Sequence, residues 1–384
     1  MNGFLNFMKS KAVIGGLTMI LFYQVAFIAI FMSGYSAIPK NIDELKIAIV
    51  NEDTQAGKEI AASLQKELPF HITTGASLEQ AREELNDRDV HMVIHIPANF
   101  TEKLSQQNEK APMDFMINQS NPATVTSTMQ SVVTQITGSL NQQFAVQNTQ
   151  GILQKLNMPE EQAKQLAAEI PTKLAPNMIN INKVPAGMHN QMAPFFLSMV
   201  SYVGAMVFSM MVTGATRAYT PILGRAKAFW YAQGVNALVA FFSPLIGLTI
   251  YFLVQGGYEA SVFFQVWLVH ALELFAAIEF MSIFCYLLKD AAIFANLTLM
   301  LFQTISSGAI MTQDMMPALF RWISHISIMY YTVQTDFSLL FGGGKIGENL
   351  LGLAGMAIAS LVVGQLAYLF VSPGFKKKAL ADAS

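Results

Sequence analysis

His270, Glu273 and Glu279 stand in a run from Phe263 to Leu288 that carries no other charged residue. A charged side chain at the centre of a membrane helix costs at least about 2.5–3.5 kcal/mol, so such groups face protein or water rather than lipid. His270 and Glu273 are three apart and adjacent on a helix face, whereas Glu279 lies nine from His270 and lands roughly opposite. Two roles fit equally well: hydrogen bonds tying the helix to its neighbours, or a path for a proton or substrate. Further on, Asn296, Gln303 and Ser307 are separated by seven and four and stack on one face beside Thr304 and Ser306. Polar stripes of this kind hold membrane helices together or line a route, and packing or a dimer contact is the more ordinary use.

Two more segments concentrate functional side chains. RAYTPILGRAKAFW, from Arg217 to Trp230, reads as a loop between two apolar runs and carries Arg217, Arg225 and Lys227. Its cations either fix topology alone or also receive a partner protein. DMMPALFRWISHISIMYYTV is too interrupted for a full crossing, with Pro317 early and Arg321 and His325 in its middle. It predicts a re-entrant or interfacial hairpin near 312–345, with Trp322, Tyr330 and Tyr331 at headgroup depth, serving as a lipid anchor or an outer gate.

Residues for catalysis are missing. There is no HExxH, no Gly-x-Ser-x-Gly and no acidic cluster at a membrane face, so no catalytic residue and no enzyme activity is expected. His91 and His95 share a strand face with Val93 but lack a third ligand, so no metal is expected; no cofactor is expected either. The single cysteine, Cys285, excludes a disulfide or a cysteine-based zinc site within one chain. GGGK, from Gly342 to Lys345, lacks the spacing of a phosphate-binding loop and reads as a turn. The sequons at Asn99 and Asn118 matter only on a eukaryotic secretory route. A net charge of −2, without a concentrated basic patch, excludes nucleic acid as a partner.

The elements that must position these residues are membrane helices. Of the 384 residues 53% are apolar and only 12% charged, against about 25% in soluble domains, and mean hydropathy is +0.40. Between Pro39 and Gln191 lie 12 of the 23 basic and 17 of the 25 acidic residues, so that segment is soluble-like and the rest nearly charge-free. A span takes about 20 apolar residues. Six stretches qualify, roughly 12 to 34, 193 to 214, 230 to 254, 263 to 288, 291 to 311 and 350 to 371. The first is too long for a signal peptide's core and reads as a retained anchor, preceded by a short interfacial helix bearing Phe4, Phe7 and Met8. Lys9, Lys11, Arg217, Arg225, Lys227, Lys289 and Lys376 to Lys378 fall on one side of six spans, which by the positive-inside rule makes both termini cytoplasmic.

The expected organisation is therefore an interfacial helix and first span (1–34), an external α/β domain (35–191), a five-helix membrane domain (192–372) and a cytoplasmic tail (373–384). LKIAIV at Leu45 to Val50 and VHMVIHIP at Val90 to Pro97 alternate as strands. Helical patterns run from Gly57 to Leu68 and from Ser77 to Leu85, the second capped by Ser77. Beyond Pro122 an uncharged stretch places Val125, Met129, Val132, Ile136, Leu140 and Phe144 at spacings of three and four. That stripe packs on its own domain or, less commonly, forms a dimer contact.

Three segments resemble the YhgE/Pip (phage infection protein) family, which belongs with the type-2 permeases of ABC transporters. IAIVNED (Ile47 to Asp53) answered by VHMVIHIPANFTEKL (Val90 to Leu104) is similar to the family's strand, helix and strand after the first span. PFFLSMVSYVGAMV (Pro194 to Val207) looks like its entry into the second span. The third pairs LMLFQTISSGAI (Leu299 to Ile310) with Pro317, FRW at Phe320 to Trp322, MYY at Met329 to Tyr331 and the glycines Gly342 to Gly344. The chain departs from the family pattern at Ile328, where a proline is usual, near Phe337, where an arginine is usual, and after Gly308; its external domain is short, as in a compact subgroup. The resemblance implies a homodimeric six-span permease in a bacterial plasma membrane, with ATP hydrolysis in a separate subunit that meets the Arg217 to Trp230 segment. It implies export of an amphipathic or lipid-like compound. The alternative is a non-transporting surface protein for phage adsorption or secretion.

Overall fold

The computed structural model describes residues 37–106, 109–156, 173–185 and 188–371. The expected interfacial helix, the first span and the tail lie outside those residues. Pro39–Pro185 forms one compact unit, and the described residues from 188 onward belong to another.

The first unit is built on β1 (Lys46–Asn51), β2 (His71–Thr74), β3 (Met92–Ile96), β4 (Ala111–Asn118) and β5 (Leu174–Ile181), in the order β2-β1-β3-β4-β5. β1 pairs in parallel with β2 and β3, β3 pairs antiparallel with β4, and β4 pairs in parallel with β5. Helices α1 (Ala56–Glu67), α2 (Leu78–Asn86), α3 (Phe100–Ser105) and α4 (Ala123–Leu156) connect the strands. Ser77 and Gln80 close a reciprocal capping box at the start of α2. All six apolar stripe residues of α4 are buried within the unit, and α4 packs on β4 and β5. Each such side chain contributes about 1.5–3 kcal/mol, which accounts for a polar helix of this length folding onto the sheet.

Asp53 joins β1, α1 and α3. Its Oδ1 accepts from the backbone N–H of Gln55 (2.9 Å) and Gly57 (3.0 Å) and from the Thr101 hydroxyl (2.6 Å), and its Oδ2 accepts from Thr101 N (2.9 Å). Burial pushes this carboxyl up, but the bonds from Thr101, Gln55 and Gly57 together outweigh it and hold it at about 2. Gly57 is required here because a Cβ would come within 2.9 Å of the Ile96 side chain.

The second unit contains α5 (Ala193–Leu223), α6 (Arg225–Phe242), α7 (Pro244–Gln255), α8 (Ala260–Leu288), α9 (Ala292–Ser306), α10 (Ala318–Ser324), α11 (Ile328–Phe341) and α12 (Ile346–Val371). Among the described residues four helical stretches are long and apolar enough to cross a membrane: Ala193–Leu223, Arg225–Gln255, Ala260–Ser306 and Ile346–Phe370. The second is interrupted at Ser243 and Pro244, because proline has no N–H to continue the helical ladder; the Trp267 indole donates to the Phe241 carbonyl beside the break at 2.7 Å. In the third, Lys289–Ala291 turns the chain so that Asn296 returns to the Met281 carbonyl (3.3 Å), laying α9 back along α8.

Two sequence expectations need correction. The segment from Arg217 to Trp230 is no loop: α5 runs to Leu223 and α6 starts at Arg225, leaving only Gly224 (φ 80°) as the joint. The fifth apolar stretch is helical only over the 15 residues of α9, about 22 Å at 1.5 Å per residue, and the rest of it, to residue 311, is irregular backbone. The backbone then breaks at Gly308 (φ 76°) but stays inside the protein, with Ala309, Met311, Met315 and Met316 buried. Gln334 donates to the Ser307 carbonyl (3.3 Å), and Arg321 donates to the carbonyls of Gln313 (3.0 Å), Asp314 (2.6 Å) and Met316 (3.2 Å). Irregular backbone at membrane depth survives only when protein satisfies it in this way.

Asp53→Asn places an amide N–H among these donors and removes the charge they serve. Stability from a carboxyl depressed from 3.8 to about 2 is present above pH 4 and lost as pH falls toward 2. The variant should lose about 2 kcal/mol at neutral pH and most of the pH 2–4 dependence of this unit. Hydrogen exchange of peptides over 51–57 and 99–103 in the full chain reads both; unchanged protection would refute the assignment.

Candidate functional site

α8 carries His270 and Glu273 on one face, and both are buried, at 1% and 0% exposure. Asp336 of α11, also at 0%, meets them from a different part of the chain. The imidazole is gripped from both sides: Nδ1 lies 2.8 Å from Glu273 Oε2, and Nε2 lies 2.9 Å from Asp336 Oδ2. From α5, the Ser198 hydroxyl hydrogen-bonds Glu273 Oε1, and the Ser201 hydroxyl sits 3.4 Å from His270 Nδ1. Three helices thus meet at one imidazole. Chemically the cluster sets at most one positive charge against two carboxylates, and Asp336 Oδ1 has no hydrogen-bond partner.

Glu279 belongs elsewhere. It faces α6, where Asn236 Nδ2 donates to Oε1 at 2.6 Å and Gln233, with its amide nitrogen toward the carboxylate, donates to the same oxygen at 2.6 Å. Asn296, Gln303 and Ser307 do not converge on a shared space. Asn296 reaches the Met281 carbonyl and Cys285 Sγ (3.5 Å), both on α8. Gln303 donates to the Tyr202 hydroxyl of α5 and accepts from Ser327 Oγ (3.2 Å) and Met329 N (3.4 Å). Ser307 Oγ donates to the Thr304 carbonyl (2.8 Å) and accepts from Ala309 N (3.3 Å), closing the end of α9. Each contact crosses between helices or caps one.

The predicted hairpin is divided. Pro317 precedes α10, where Arg321 and Trp322 are exposed, Trp322 at 64%. α11 instead packs against α5, α8 and α12, with Tyr330 and Tyr331 half-buried at its start. The Tyr331 hydroxyl donates to the His325 carbonyl at 2.6 Å. The interfacial reading therefore does not extend to α11, because its polar residues find partners inside the unit. At the α5–α6 joint, Arg217 Nη1 donates to the Cys285 carbonyl (2.9 Å), the Arg225 carbonyl accepts from Tyr368 (3.2 Å), and Lys227 is exposed. In the other unit His95 lies 3.0 Å from Asp114 and 3.3 Å from Glu52, while His91 Nδ1 accepts from Lys46 N at 3.0 Å.

Between α5, the α6–α7 break and α8 lies a cavity of about 340 Å³. His270 and Ser201 form part of a wall otherwise dominated by apolar side chains, among them Phe196, Phe208, Leu248 and Leu274. Asp336 and Ser198 were not foreseeable from the α8 pattern alone. A signal existed for Asp336: between Arg321 and Lys345 the ionisable residues are His325, Tyr330, Tyr331 and Asp336, so it is the one acid there.

Removing one member of a buried ion cluster leaves the others uncompensated, at about 3–5 kcal/mol, whereas replacing the whole cluster by apolar groups is often close to neutral. Asp336→Leu should thus lower the melting temperature in detergent more than His270→Phe, Glu273→Leu and Asp336→Leu combined. The opposite order would show that the cluster is a net stabiliser.

Comparison with known proteins places this architecture. A family model described as ABC-2 family transporter protein matches residues 14–368. A crystal structure of one domain, provisionally assigned to an ABC type-2 transporter from Thermotoga maritima MSB8, is 23% identical and covers 35% of this chain and 84% of its own, with a TM-score of 0.27. No curated protein matches. Because the matched model spans nearly the whole sequence, the chain belongs to the ABC-2 transporter family of membrane proteins.

Proposed function

We propose that this protein is the permease subunit of an ABC exporter, working as a homodimer in a bacterial plasma membrane and moving an amphipathic or lipid-like compound. The observation that carries the proposal is the family match over residues 14–368, and the lack of a nucleotide-binding loop in these 384 residues supports ATP hydrolysis by a separate subunit. Lysine and arginine asymmetry supports cytoplasmic termini and an external α/β unit. An exposed apolar stripe on α5, formed by Val203, Val207 and Met211, supports a second copy or lipid against that face.

The ATPase contact falls at the joint between α5 and α6. Gly224 turns the chain and Lys227 projects from the first turn of α6, beside Arg225. Arg217 has a structural duty at the Cys285 carbonyl and is the poorer probe. Arg225→Glu with Lys227→Glu should leave the protein inserted, with an unchanged melting temperature, yet abolish co-purification of its ATPase. Full retention of the ATPase would remove this joint from the mechanism.

A further inference from the structure

We propose that the cavity between α5, α7 and α8 binds a lipophilic monocation, its charge drawn to the wall that His270 forms. This rests on the permease reading and names the substrate class for it. The first observation is the cavity's shape and lining: about 340 Å³, within the range of small-molecule sites, with aromatic and aliphatic walls. The second is the charge behind one wall. Glu273 and Asp336 flank the His270 ring, so two carboxylates face at most one positive charge. In a low-dielectric interior any net negative charge on these groups acts on the cavity with little screening.

The arrangement also selects against an anion. An anion at the histidine would need an N–H donor, and both ring nitrogens already face carboxylates at 2.8 and 2.9 Å. Ser201 has its hydroxyl 3.4 Å from the Leu197 carbonyl and keeps lone pairs for a donor or a positive charge. Phe196 and Phe208 are among the lining residues, and aromatic rings attract cations over their faces. The other titratable groups near the cluster, Tyr202 of α5 and Tyr251 of α7, are phenols and bring no positive charge. Space is available as well: the Cα of Gly247 lines the cavity, and a Cβ there would meet nothing within 4 Å.

Tetraphenylphosphonium and tetraphenylborate, nearly identical in shape and opposite in charge, isolate the sign of the charge. Equilibrium dialysis of the purified full chain in detergent would measure binding of each as the difference between the parent and Gly247→Leu, which adds a bulky side chain at a lining position where a Cβ meets nothing within 4 Å. The expected result is at least tenfold tighter specific binding of the phosphonium, lost in Gly247→Leu and reduced severalfold in Asp336→Asn. Equal or stronger specific binding of the borate, or phosphonium binding that survives Gly247→Leu, would overturn the proposal. If Asp336→Asn fails to fold, the charge preference of the parent and the Gly247→Leu difference still decide. The assay needs no ATPase: phosphonium binding without any co-purifying ATPase would sink the permease reading alone, and an ATPase complex without specific phosphonium binding would sink this inference alone.

Discussion

Inside hydrocarbon a polar group has no water to turn to, so every one that the chain buries must find its partner in protein. The His270 imidazole shows how far that requirement shapes the membrane unit. To satisfy it the chain brings Glu273 from one turn away, Asp336 from α11, and the serines of α5 to the same place. Tyr202 and Gln303 make a second such link, joining α5 to α9 and, through Ser327 and Met329, to the start of α11. Glu279 with Asn236 and Gln233 makes a third, between α8 and α6. Lipid tails are as apolar as leucine, so these links orient helices that the hydrophobic effect alone leaves free to rotate.

The same requirement explains how the helices can break. Between α9 and α11 the backbone leaves helical geometry, and Gln334 and Arg321 supply donors for its carbonyls. Between α6 and α7 a proline interrupts the ladder, and Trp267 reaches the carbonyl beside it. The second break also makes room: Ser243, Pro244 and Gly247 line the cavity whose opposite wall includes His270. Packing, polar satisfaction and a space large enough for a small molecule therefore follow from one arrangement of α5 to α8.

Much of this was legible in the residues and some was not, for definite reasons. β1 and β3 declare themselves because they lie centrally in the sheet and carry long β-branched runs, and their neighbour strands hide the pattern. β2 is a four-residue edge strand with exposed side chains, and β5 carries Pro176 at the other edge. The apolar stripe of α4 was readable because period and burial coincide along it. The α5–α6 joint was misread as a loop because cations, a proline and a glycine normally signal one, yet helical hydrogen bonding continues up to Gly224. In the membrane unit the α8 carboxylates stood out by their cost alone. Asp336 did not, since it follows a stretch whose proline and arginine argued against burial, and only tertiary packing of α11 against α5, α8 and α12 turns it inward.

The central claim is that α11 is an inner element pinned by Asp336 and not part of an interfacial hairpin. Hydrogen–deuterium exchange of the full-length protein in lipid nanodiscs tests it most directly, because it compares α11 with its neighbours under one set of conditions. Amides of residues 328–341 should exchange as slowly as those in the middle of α8, while those of α10 exchange faster. Exchange of α11 at the rate of α10 would contradict the account and return this segment to the membrane surface.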